Sequence, residues 1–147
     1  MAEYTAKDIG RRMVQLSIDN GIWISNLKLQ KLLYFAWLDY FDKYGRHLFD
    51  DDNFQAWKYG PVVPSVYYEF WVHAGNIIMG TYPPSKDVDE TTSKFLLDIL
   101  KKYEKTGLGK IVEKSHESAP WAENYVEGRR VEIPYQQMEA EAKRFPI

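Results

Sequence analysis

Along most of this chain apolar residues return every third or fourth position, and in two short stretches they alternate with polar ones. The first spacing predicts amphipathic helices and the second short strands. Ile9, Met13 and Leu16 mark a first helix, with Thr5 and Asp8 as a capping box and Asn20-Gly21 as its stop. The segment LKLQKLLYFAWLDYFDKYG follows a Ser25 or Asn26 cap and is apolar over most of its circumference. Such a helix is buried all round, so the pattern predicts the central rod of the domain, ended by Gly45. FQAWKYG alternates well enough for one short strand, which Gly60-Pro61 breaks. Pro64 opens a third helix with Val66, Tyr67, Phe70, Trp71 and Ala74 on its apolar face and Gly75 at its close.

Residues 76–89, with Pro83-Pro84, form the longest irregular stretch and are expected to be mobile. A fourth helix over about 91–105 buries Phe95, Leu96, Ile99, Leu100 and Tyr103. A short helix follows over about 110–116, and Pro120-Trp121 starts another turn or helix. RRVEIP is the second strand, and 134–145 reads as a terminal helix. The whole span 1–147 is thus expected to be a single mainly α domain. Its architecture is a compact helical bundle with a small two-stranded β ribbon, QAWKY pairing with RVEI.

Composition narrows the function. Aromatics at 16% are high, and Trp and Tyr supply most of the excess. Rings of that kind fill cores and anchor protein interfaces. Cysteine is absent, which excludes disulfides, thiolate metal sites and a cysteine nucleophile and makes a reducing cytoplasm the natural location. MAEYTAKDIGRRMVQL lacks the uninterrupted apolar run of a signal peptide, and no stretch approaches the roughly 20 apolar residues of a membrane span. A net charge of −2 and a pI near 5.9 argue against nucleic acid as the main partner.

Enzymatic signatures are missing as well. His47, His73 and His116 have no paired metal-ligand spacing, and there is no P-loop, dinucleotide fingerprint or nucleophile elbow. Glu69, Glu113 and Glu117 read as surface charges. The Asp50–Asp52 run lacks the glycine and distal glutamate of a calcium loop and reads as a solvated turn. No enzyme, metal or cofactor is expected.

Three blocks in order, NLKLQKLLYFAWLDYFDKYG, LFDDDNFQAWKYGPVVPSVYYEF and SHESAPW, resemble the Panacea domain. That is the antitoxin family typified by SocA, which also includes phage-associated GepA-like proteins. The resemblance runs from about Ile9 to the strand near Ile133. It implies a mainly helical antitoxin that binds and neutralises a cognate toxin protein, either by sequestering it or as an adaptor that delivers it to a protease or chaperone. The alternative is a phage- or prophage-encoded inhibitor of a host protein, and a metal-independent enzyme is the distant one.

Two readings stay open for the elbow formed by Trp57, Tyr59, Pro61 and Pro64: a packed strand–turn–helix corner, or an aromatic edge that grips a partner. They coexist if one ring face is buried. Alternation sends Trp57 and Tyr59 to one face and Lys58 to the other, with Trp57 toward the core. His116 near a helix C-terminus suits a cation or donor, and Trp121 plugs the core beside it. The expected partner-binding residues are Trp57, Lys58, Tyr59, Pro61, His116 and Trp121. Lys31, on the flank of the buried helix, is expected to snorkel, to reach a carboxylate or to meet a partner.

Overall fold

Capping chemistry decides where the helices begin. In the computed structural model, which describes residues 2–147, α1 (Ala6–Asp19) starts at Thr5, whose hydroxyl accepts from the Asp8 N–H while the Asp8 carboxylate accepts from Thr5. α2 (Asn26–Tyr44) starts at Ser25 and ends at Gly45, whose φ of 66° is left-handed. α4 (Glu90–Lys102) starts at Asp89. Between them lie α3 (Pro64–Glu69) and a 3-10 turn, Trp71–His73. α5 (Leu108–His116), α6 (Ala119–Asn124) and α7 (Tyr135–Ala142) complete the helices.

α2 is the central rod that its sequence predicts. It packs against α1, α3, α4, α5 and α7, and Leu29, Leu32, Leu33, Phe35, Trp37 and Leu38 are fully buried. The Trp37 ring stacks on Phe41 and Tyr135, and its Nε1 donates to the Phe49 carbonyl at 2.9 Å. Truncating such a ring to alanine costs about 3–5 kcal/mol, so this layer fixes the bundle. α4 and its C-cap Tyr103 bury the five residues that periodicity selects.

The mainly α class is borne out, and the ribbon gains a strand. β1 (Gln55–Trp57) pairs with β3 (Val131–Glu132) as expected, Ala56 opposite Val131. It also pairs with β2 (Gly60–Val62), so the sheet order is β2-β1-β3. Proline does not break this strand, because β2 is an edge. Trp57 and Gly60 close a two-residue turn, and the alternation of an antiparallel ladder then turns Pro61's backbone away from β1, where no N–H is needed.

Other expectations are corrected by local geometry. The helix after Pro64 gives way at Phe70 to the 3-10 turn, so helical spacing fails there; Trp71 is 63% exposed and Ala74 is exposed too. Residues 76–89 are irregular but anchored. Ile78 is buried and donates to Ile24, while Ser85 and Lys86 donate to the Asp8 carboxylate. The aspartate run is a set of caps rather than a solvated turn: Asp51 accepts from the Ala6 N–H at 2.8 Å and Asp52 from the Ser65 N–H at 2.8 Å. Among the described residues no helix is long and apolar enough to cross a membrane.

Candidate functional site: an aromatic groove on a buried elbow

Three side chains of α2 hold the chain where it turns from β2 into α3. Asn26 donates to the Tyr67 carbonyl at 2.9 Å and accepts from Gln30, one turn further along, at 3.0 Å. Gln30 in turn accepts the Val63 N–H at 3.0 Å. Lys31 Nζ donates to the Pro61 carbonyl at 2.6 Å. Pro61 and Val63 present their backbone groups on the outer edge of β2, so α2 satisfies an edge that would otherwise be open.

Lys31 therefore neither snorkels nor meets a carboxylate or partner. Its side chain is fully buried, and burial pushes its amine down to about 7. Gly60 closes over it with φ at 115°. A Cβ there would lie 2.4 Å from Ser115 Oγ and 2.8 Å from Lys31 Cε.

The elbow carries a groove of about 810 Å³ on its outer side. Trp57 is half-buried on the face of β1 opposite the buried Ala56, so it leans away from the core rather than toward it. The Tyr67 ring meets it edge-on at 4.8 Å, and the Arg130 guanidinium lies 3.9 Å from its centroid. Arg130 also donates to the Tyr68 hydroxyl at 2.8 Å. Lys58 and Tyr59 are the two turn residues, not strand residues, and both are exposed, with the Lys58 ammonium 5.6 Å from the Tyr59 ring centroid. Leu27, Val62, Leu108 and Tyr125 line the rest of the wall.

The remaining residues singled out in the sequence support the groove without lining it. Pro61 is buried beneath. Trp121 is half-buried, donates through Nε1 to the Trp57 carbonyl at 2.7 Å, and is stacked between His116 at 3.9 Å and Tyr125 at 4.9 Å. His116 ends α5, but burial lowers its pKa. The Lys58 carbonyl favours the protonated ring too weakly to offset that, and Nε2 has no well-aligned hydrogen-bond partner. It is a neutral stacking ring here, not the helix-end cation that its position suggests.

Tyr125, Leu27, Leu108 and Arg130 are groove residues that periodicity does not single out, while Tyr67, read from its spacing as part of a core-facing helix stripe, lines the groove instead. For Arg130 a signal existed. Pairing QAWKY with RVEI in the observed register places it across from Trp57. Among the described residues no group of three or more His, Asp or Glu is placed to hold a metal ion.

The family model for the Antitoxin SocA-like, Panacea domain matches residues 29–122, well over half of the chain. That span runs from α2 into α6 and takes in Lys31, the elbow, His116 and Trp121. Antitoxin SocA of Caulobacter vibrioides (strain NA1000 / CB15N) is 45% identical over 67 residues, which cover 39% of this chain and 32% of the relative. The chain thus spans about a third of the length of the curated relative it matches. No solved structure matches it.

Proposed function

The chain belongs to the SocA-like Panacea antitoxin family, and from that premise we propose that it neutralises a cognate toxin protein by binding it directly in the aromatic groove. The observation that carries this reading is the pairing of one half-buried and one exposed ring with a rigid floor. Trp57, Tyr59 and Arg130 are the residue types that dominate binding energies at protein interfaces. Here Trp57 and Tyr59 sit on an elbow whose backbone α2 and Trp121 hold at Pro61, Val63 and Trp57. Arg130 is held by the Trp57 ring and the Tyr68 hydroxyl, so little freedom is lost on binding. Trp57, Lys58 and Tyr59 touch the toxin, while Pro61, His116 and Trp121 set their positions. α1 and α7, outside the matched span, pack on α4 and α2, and the whole chain acts as one unit.

Co-expression tests this. A strain carrying a candidate toxin gene from beside this one should stop growing when that gene is induced alone and resume growth when this chain is present. Affinity capture of the chain from the same cells should recover the toxin. Intact toxin in the complex marks sequestration, and toxin that disappears only when the chain is present marks delivery to a protease. Persistent arrest with both proteins soluble refutes the reading.

A further inference from the structure

We propose that the groove selects an acidic segment of its partner, anchored by one aromatic or aliphatic side chain. This rests on the groove being the partner-binding site and specifies what it accepts.

The first observation is the sign of the rim. Lys58, Arg129 and Arg130 are exposed along the groove, with Glu127 as the single carboxylate among them. The chain as a whole carries −2, so this cationic edge runs against the overall balance. None of the three cations has a carboxylate within ion-pair distance among the described residues. Elsewhere in the molecule, by contrast, Lys7 and Arg11 share Glu69, and Lys86 pairs with Glu3.

The second observation is how Arg130 is held. The Trp57 face and the Tyr68 hydroxyl fix the guanidinium and occupy one of its N–H groups, leaving others toward solvent. A guanidinium fixed in this way is suited to a carboxylate, which it can take through two parallel N–H groups. The same groove is lined by the apolar side chains of Leu27, Tyr67 and Leu108, which offer an anchor point for one large side chain. A nucleic acid fits less well. Its phosphates call for a broadly basic face, and here three cations share the rim with a carboxylate on an acidic chain.

Fluorescence anisotropy on the full chain tests the proposal with short labelled peptides that share a central Trp-Leu pair and differ only in flanks of Glu, Gln or Lys. Poly-Glu without the anchor and single-stranded oligothymidylate serve as the other probes. The Glu-flanked peptide should bind at least roughly tenfold tighter than every other probe, and added salt should weaken it. A folded triple variant, Lys58→Glu with Arg129→Glu and Arg130→Glu, should reverse the order in favour of Lys flanks. Equal binding of Gln or Lys flanks, equal binding of poly-Glu, tighter binding of the oligonucleotide, or no binding of any peptide overturns the proposal. Growth rescue is scored separately. A wild-type chain that prefers the acidic peptide but rescues no toxin-expressing cell keeps the groove's selectivity and removes the antitoxin reading. A chain that rescues cells without that preference does the reverse.

Discussion

Lys31 donates its ammonium to the carbonyl of Pro61 from a position without any solvent contact. The pair joins the central helix to the outer edge of β2 and thereby to the turn that presents Lys58 and Tyr59. Burying an ammonium is unfavourable unless it loses its proton or is well bonded, and this one has a single protein acceptor. Its position suggests that fixing the elbow outweighs that cost, since the edge strand would otherwise leave a buried carbonyl unsatisfied.

The buried amine gives stability a pH signature. In the unfolded chain a lysine holds its proton to about pH 10.4, whereas in the fold Lys31 loses it near about 7. Between those values the unfolded chain binds more protons, so stability rises with pH across the window and the slope vanishes below it. Urea unfolding of wild type and Lys31→Met from about pH 6 to about pH 9.5 should show this rise in the wild type alone, on the order of 1 kcal/mol per pH unit. Parallel curves for the two proteins would contradict it.

Gly60→Ala should destabilise the fold by about 2 kcal/mol or more. The residue would be strained at φ 115°, and its Cβ would collide with Ser115 Oγ. Adding Ser115→Ala should recover only part of the loss, because the backbone strain and the contact with Lys31 Cε remain. Thermal melts of the single and double variants decide it; full recovery would place the whole effect in the serine.

Asp8 ties the irregular 76–89 segment to α1. Burial alone would raise its carboxyl, but hydrogen bonds from Ser85, Thr5 and Lys86 hold it below the ordinary carboxylate range. A depressed carboxyl stabilises the fold above its unfolded value of about 3.9, and that contribution is lost as pH falls through the folded value. Asp8→Asn should therefore cost about 1–3 kcal/mol at neutral pH and flatten the acid limb of the stability curve. Hydrogen exchange should show residues 85–86 opening in the variant; unchanged protection would break the link between Asp8 and the loop.

The helices were legible because periodicity and caps agree: Thr5 with Asp8, Ser25 and Gly45 each mark an end that the fold observes. β2 was not, because proline reads as a ladder breaker until its strand is known to be an edge. Lys31's burial was hidden for a related reason, since its partner is a backbone carbonyl 30 residues away and no charge pattern announces it. Strand alternation holds only as far as Trp57 and fails at Lys58 and Tyr59, which form the turn, so it misplaces both Trp57's face and Tyr59's. Arg130 became visible only through the register of β1 against β3.

The central claim is that a folded elbow presents a toxin-binding groove, and calorimetric titration of the purified toxin with wild type, Trp57→Ala and Tyr59→Ala tests it most directly. Trp57 is half-buried, so its truncation should cost only about 1 kcal/mol in stability, well below the value for a fully buried ring, and ~2 kcal/mol or more in binding. Tyr59, 55% exposed at the turn, should change stability by less than about 0.5 kcal/mol while still weakening the complex. Wild-type affinity in both variants, with melts showing them folded, would contradict the account.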